Sequence, residues 1–154
     1  MPMEIERKFL VVGDLWRQQV SRSEKMRDGL VATTDGRKVR VRLYDDRATI
    51  IIKGARVGIG RDEFEYDIST ADGLALLEDH CGGSVLDKTR HHIKFKGCDW
   101  TVDEYHGALS GTFLAEIELP SEDADFKRPT WIGEEVTGHQ AYRKINLVKA
   151  RRQK

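Results

Sequence analysis

The strongest constraint in this chain is a period of two, carried by segments whose charged faces are nearly of one sign. Lys38 to Leu43 sets Lys38, Arg40 and Arg42 against Val39, Val41 and Leu43. Lys88 to Lys96 sets Lys88, Arg90, His92, Lys94 and Lys96 against Ile93 and Phe95. Met3 to Val12 alternates Glu4, Glu6 and Lys8 with Ile5, Arg7 and Phe9. Arg61 to Ile68 sets Arg61, Glu63, Glu65 and Asp67 against Phe64, Tyr66 and Ile68, and Phe113 to Leu119 sets Glu116 and Glu118 against Ala115, Ile117 and Leu119. Ala48 to Lys53 runs through three isoleucines to Lys53, and Trp100 to Tyr105 places Asp103 opposite Trp100 and Val102. Successive side chains of an extended chain point to opposite faces, so these seven segments read as strands.

The spaces between them read as turns. Glycines fall at 54, 58 and 60, at 82 and 83, and at 107 and 111, while the three prolines, at 2, 120 and 129, stay outside the alternating runs. Helix signals are fewer. Asp14 is placed to cap a short turn through Trp16 and Val20. Ser69 or Thr70 is placed to cap a helix carrying Leu74, Leu77 and Cys81, closed by Gly82-Gly83. A last helix is expected from about His139 to the C-terminus. With no repeat, low-complexity tract or linker, the expectation is one α+β domain over residues 1–154, long enough to bury a core.

Apolar residues make up 39% and charged residues 34% of the sequence, well above the composition of disordered chains. Lysine plus arginine equals aspartate plus glutamate at 26 each, so net charge points to no partner. Arrangement carries the information instead. Cys81 and Cys98 follow neither metal nor redox spacing, no leader pattern opens the chain, and no apolar run is long enough for a membrane span. A cytoplasmic protein without membrane or nucleic-acid partners is expected, the basic tail from Lys149 reading as a solvated end. Adjacent His91 and His92 point to opposite faces of a strand and do not suggest a zinc site. Trp16, Trp100 and Trp131 read as packing residues, and Arg7, on an apolar face, as a side chain reaching for the surface.

Two arrangements fit the sorted charge. In one, an antiparallel sheet packs on its apolar side and turns its charges to water. In the other, the polar faces look inward. E-x-E recurs at Glu4/Glu6, Glu63/Glu65 and Glu116/Glu118, with like charges roughly 7 Å apart along each strand. Two such strands together supply the oxygen donors that Mg2+ or Mn2+ prefers. Basic strands opposite would neutralise a polyanion, with arginine forks on phosphate oxygens. A metal and a basic wall are what phosphoryl transfer requires. Period two alone leaves both arrangements open.

Met3-Glu4-Ile5-Glu6-Arg7-Lys8-Phe9 resembles the E-x-E-x-K signature opening the CYTH family, the triphosphate tunnel metalloenzymes, in its short bacterial tripolyphosphatase-like form. Further similarities follow in order. Val39-Arg40-Val41-Arg42 is similar to a V-R-V-R strand, Ile50-Ile51-Ile52-Lys53-Gly54 to a T-I-K-G strand, and Arg61-x-Glu63-x-Glu65-Tyr66 to an R-x-E-x-E segment. Lys88-Thr89-Arg90, Val102-Asp103-Glu104, Ala115-Glu116-Ile117-Glu118-Leu119 and Trp131-x-Gly133-x-Glu135-Val136-Thr137 complete the likeness.

The resemblance implies an eight-stranded antiparallel β-barrel, a tunnel with charged interior and flanking helices. It implies metal binding by Glu4, Glu6, Asp103, Glu116 and Glu118, and phosphate binding by Lys8, Arg40, Arg42, Lys53, Arg61, Lys88 and Arg90. Lys8, Glu4 and Glu6 would carry the catalysis, with Glu63 and Glu65 supporting a metal, a water or Arg61. The implied activity is hydrolysis of a small triphosphate, foremost inorganic tripolyphosphate, releasing orthophosphate with one or two Mg2+ or Mn2+ ions. Adenylate cyclase and thiamine triphosphatase are the alternatives within the family, and a non-catalytic polyphosphate- or nucleotide-binding module is the alternative outside it. A homodimer is compatible with the sequence but not demanded by it. Two departures stand out: Asp28-Gly29-Leu30 where Gln-Gly-Tyr is common, and Lys144 where an asparagine is common.

Overall fold

The computed structural model describes residues 3–142. Nine strands dominate it: β1 (Met3–Val11), β2 (Val20–Thr34), β3 (Arg37–Leu43), β4 (Ala48–Lys53), β5 (Gly60–Ile68), β6 (Leu86–Phe95), β7 (Cys98–Tyr105), β8 (Phe113–Glu118) and β9 (Ile132–Glu135). One α-helix, α1 (Thr70–His80), stands among the described residues, with short 3-10 turns elsewhere. Ser69 caps α1 as expected, its hydroxyl accepting the Asp72 amide proton at 3.0 Å.

All pairings are antiparallel, in the order β5-β4-β3-β2-β6-β7-β8-β1-β9, and β1 also pairs with β5. Eight strands therefore close on themselves in a ring, and β9 lies outside that circuit. Strand β1 makes the closure by dividing its length. Met3, Glu4 and Ile5 face Asp62, Arg61 and Gly60, while Glu6 through Leu10 face Glu118 through Leu114. Phe9 and Val11 also face β9.

Several expectations need correction. The alternation identified seven strands and the resemblance implied eight in a barrel; the described residues hold nine, eight of them in the ring. β2, the longest at 15 residues, and β9 carried no recognised signal. The turn after Asp14 is a 3-10 turn at Leu15–Gln19 whose Asp14 side chain makes no capping bond. The expected flanking helices reduce to α1 among the described residues. Beyond a 3-10 turn at Gln140–Tyr142, the expected C-terminal helix, with Lys144, lies outside the described residues. Arg7 stays partly exposed, as expected, and at the surface its Nε donates to Glu135 Oε2 at 2.8 Å while its guanidinium sits 5.0 Å from the Phe126 ring centroid.

The apolar faces pack away from the ring's centre. Phe9, Ile93, Trp100, Val102, Ala115 and Ile117 form a buried cluster with Trp16 and Trp131, so the chain segments before β2 and β9 cover β1, β6, β7 and β8. Helix α1 covers the other side, placing Leu77 and Cys81 on Val41. That approach depends on Gly29 in β2: a Cβ there would stand 2.5 Å from Cys81 Sγ and 2.7 Å from Leu77 Cδ2. None of the described helices is long and apolar enough to cross a membrane. Both cysteines are free thiols.

Candidate active site

The polar faces of the ring strands meet around one cavity of about 750 Å³. Period two explains who lines it: Glu4, Glu6 and Lys8 from β1, Arg40 and Arg42 from β3, Lys53 from β4, Arg61, Glu63 and Glu65 from β5, Arg90 from β6, and Glu116 and Glu118 from β8. Lys88 and Asp103 are not on its surface. They lie immediately behind it, 1% and 0% exposed.

One part of the wall is acidic. Glu6 pairs across the strands with Glu118, and Lys8 with Glu116, the Lys8 ammonium standing 3.6 Å from Glu116. Burial, with Glu116 and Glu4 adding repulsion, raises the Glu6 carboxyl to about 7. Burial also raises Glu4 and Glu118, reinforced for Glu4 by Glu63 and for Glu118 by Glu4. Glu116 goes the other way: burial opposes its ionisation, but Lys8, with Arg90 and Lys88, holds it well below the usual carboxylate range. Three acids that resist ionisation beside one that does not form a site short of positive charge. Among the described residues, no three acidic, histidine or cysteine groups are gathered as a ready-made metal cage. The donor chemistry nevertheless suits a hard divalent cation, with the remaining ligands left to substrate or water.

Another part is basic and tied together by ion pairs. Arg42 lays its Nε and Nη2 on Asp28 at 2.7 and 3.0 Å, and Arg90 does the same on Asp103 at 2.8 and 3.0 Å. Lys88 Nζ joins the two carboxylates, 3.2 Å from Asp28 and 2.9 Å from Asp103. Although burial works against both arginine charges, the facing carboxylates hold each guanidinium above its ordinary value. Arg40 is lowered instead, chiefly by burial, with Asp28 compensating only in part. Between the two regions, Lys53 contacts Glu4 and Glu63, each at 3.2 Å, and Arg61 Nε donates to Glu4 at 3.4 Å. Glu65 accepts from the Thr49 hydroxyl at 3.0 Å.

Several lining groups were not singled out from sequence. Glu24 on β2 receives His92 at 2.7 Å, Arg22 at 3.2 Å and Arg47 at 3.9 Å. His91 and His92 do part to opposite faces, His91 lying between Ser23 and Glu104. Asp28 was noted only as a departure. The alternation Glu24, Met26, Asp28 was its signal, but reading it required seeing β2 as a strand.

Comparisons with known proteins find relatives over nearly the whole chain. Residues 2–153 match the CYTH domain model. An inorganic triphosphatase of Acetivibrio thermocellus is 42% identical over 149 residues, covering 97% of this chain and 95% of the relative. A second inorganic triphosphatase, from Nitrosomonas europaea, is 34% identical over 153 residues, covering 94% and 96%. The crystal structure of an inorganic triphosphatase superposes with a TM-score of 0.65 at 32% identity, covering 96% of this chain and 95% of that one.

Proposed function

Because this chain belongs to the CYTH domain family, we propose that it is an inorganic triphosphatase, hydrolysing tripolyphosphate to release orthophosphate. The observation that carries the reading is one cavity lined by both a carboxylate patch and arginine forks. A pure anion binder gains nothing from Glu4, Glu6 and Glu118, each of which resists its own charge there. The relatives' name supplies the substrate class.

In this reading residues 1–154 form a single eight-stranded tunnel domain with a charged interior, working in the cytoplasm on a small diffusible anion. Glu4, Glu6, Glu116 and Glu118 would hold one or two Mg2+ or Mn2+ ions, with Asp103 behind them. When bound, a divalent ion draws charge from phosphate oxygens and eases deprotonation of water. The chain's own groups do the rest. Arg40, Arg42, Arg61 and Arg90 grip phosphate oxygens, and Lys53 neutralises charge beside Glu4. Lys8 donates from Nζ to the reacting phosphate or water, and Glu63 and Glu65 keep Lys53 and the β4 wall in place. Catalysis here is positioning and charge stabilisation by prearranged groups.

The test is phosphate release from tripolyphosphate, pyrophosphate, ATP and thiamine triphosphate, each with Mg2+, Mn2+ or EDTA. Metal-dependent cleavage of tripolyphosphate ahead of the others is expected. Cyclic AMP and pyrophosphate from ATP, without tripolyphosphate cleavage, would replace this reading with a cyclase.

A further inference from the structure

We propose that Asp28 is a positioning residue for phosphate recognition, holding Arg42 by one edge so that the other edge faces the substrate, in a unit shared with Lys88, Asp103 and Arg90. The proposal rests on the triphosphatase reading and concerns groups that reading leaves behind the cavity wall.

The unit spans four neighbouring strands, β3-β2-β6-β7. Asp28 is 1% exposed and Asp103 0%, so neither serves as a solvated surface charge. Each takes the same two donors from its arginine, Nε and Nη2. A guanidinium has five N–H groups in a rigid plane, so this docking leaves both Nη1 protons and one Nη2 proton for another acceptor. Arg42 and Arg90 both line the cavity, and Lys88 does not. Lys88 instead spends its ammonium between the two carboxylates, with a side chain that is 0% exposed. Without it, two buried carboxylates would share one region of low dielectric. Lys88 therefore acts through Asp28 and Asp103, and the arginines meet the substrate.

The chemistry of position 28 follows. An amide there would present one oxygen and one NH2 group, so it cannot accept from Nε and Nη2 on separate oxygens. A carboxylate can, and it pins the guanidinium plane as it does so. The two possible roles of Asp28 predict opposite signs. Were it only a charge that weakens the basic wall, its removal would tighten binding of a polyanion. As a positioning group, its removal weakens binding.

Asp28→Asn should be compared with wild type for binding of inorganic tripolyphosphate in EDTA and for metal-supported turnover. The expected result is affinity weakened about tenfold or more, with KM raised and kcat changed far less. Equal or tighter binding overturns the proposal, as does a loss confined to kcat. Should Asp28→Asn fail to fold, the wild-type protein decides by NMR of arginine Nε–Hε groups. The Arg42 and Arg90 signals should stay protected from exchange at saturating tripolyphosphate. Loss of either signal's protection on addition of tripolyphosphate would overturn the proposal. Wild-type protein that neither binds nor cleaves tripolyphosphate would bring down the triphosphatase reading itself; wild-type binding with Asp28→Asn unweakened brings down this proposal alone.

Discussion

The Lys53 ammonium stands 3.2 Å from both carboxylate oxygens of Glu4, joining the basic and acidic parts of one cavity wall. The contact satisfies Glu4 when no cation is bound, yet it leaves burial and the repulsion from Glu63 and Glu116 in place. A carboxylate in that position is poised for a stronger cation than a lysine.

Glu4→Gln tests this directly. Metal-dependent turnover should fall by about a hundredfold or more while far-UV circular dichroism is unchanged, because the amide keeps the shape and removes the charge. A folded Glu4→Gln protein retaining most of its activity would remove Glu4 from the metal set.

Glu6→Gln separates function from stability. Glu6 sits beside Glu118 across the strands, with Glu4 and Glu116 adding repulsion. Neutralising it should stabilise the metal-free protein by about 1 kcal/mol at neutral pH while turnover falls. Thermal unfolding in EDTA, compared with unfolding in Mg2+, measures both sides: the wild-type midpoint should rise more on adding metal than that of Glu6→Gln.

Gly29→Ala should cost about 1–3 kcal/mol, since the added methyl meets Cys81 Sγ, Leu77 Cδ2 and Cys81 Cβ, the last at 2.9 Å. Denaturant unfolding would measure the loss. Adding Cys81→Ala should recover part of it, because the sulfur is then gone; no recovery would mean that the strain does not lie against the sulfur.

Glu135→Gln probes the Arg7 pair and gives a pH signature. Hydrogen bonding from Arg7 holds Glu135 below the usual carboxylate range, with Thr137 also donating to it. A depressed folded-state value means the stabilisation is present above the unfolded-state value and is lost as pH falls through the folded one. Wild type should exceed Glu135→Gln by about 0.5–1 kcal/mol at pH 7, and the gap should shrink as acid protonates Glu135. A gap that persists unchanged into strong acid would show that the pair contributes nothing through its charge.

Seven of the nine strands were legible because each set an apolar face against a charged one. β2 was not, for a physical reason. Its residues Arg22 and Glu24 face the cavity, while Ser21, Ser23 and Lys25 on the other face are exposed, so both faces are polar. No amphipathic contrast exists to be read. β9 is four residues long and is defined by its partner rather than by its own pattern. The same limit applies at the site. Period two put Glu4, Glu6, Arg40, Arg42 and Arg90 on one face, but it could not tell a side chain lining a cavity from one sealed behind it. Lys88 and Asp103 share the alternation of Arg90 and Glu116, yet they are buried off the cavity surface in ion pairs with Asp28 and Arg90. The partner of Arg7 was not legible because Glu135 lies 128 residues away.

The division of β1 between β5 at its start and β8 and β9 further along has a consequence for how the molecule is made. A chain synthesised from its N-terminus holds Glu4 and Glu6 from the outset, yet Glu116 and Glu118 reach them only after more than a hundred further residues. Non-local pairing of this kind folds slowly, and until it forms the ring has open edges and an uncovered Phe9. The pairing of β1 with β8 and the assembly of the acidic patch are therefore the same event. A chain stalled before β8 carries Glu4 and Glu6 without Glu116 and Glu118, and so cannot assemble that patch.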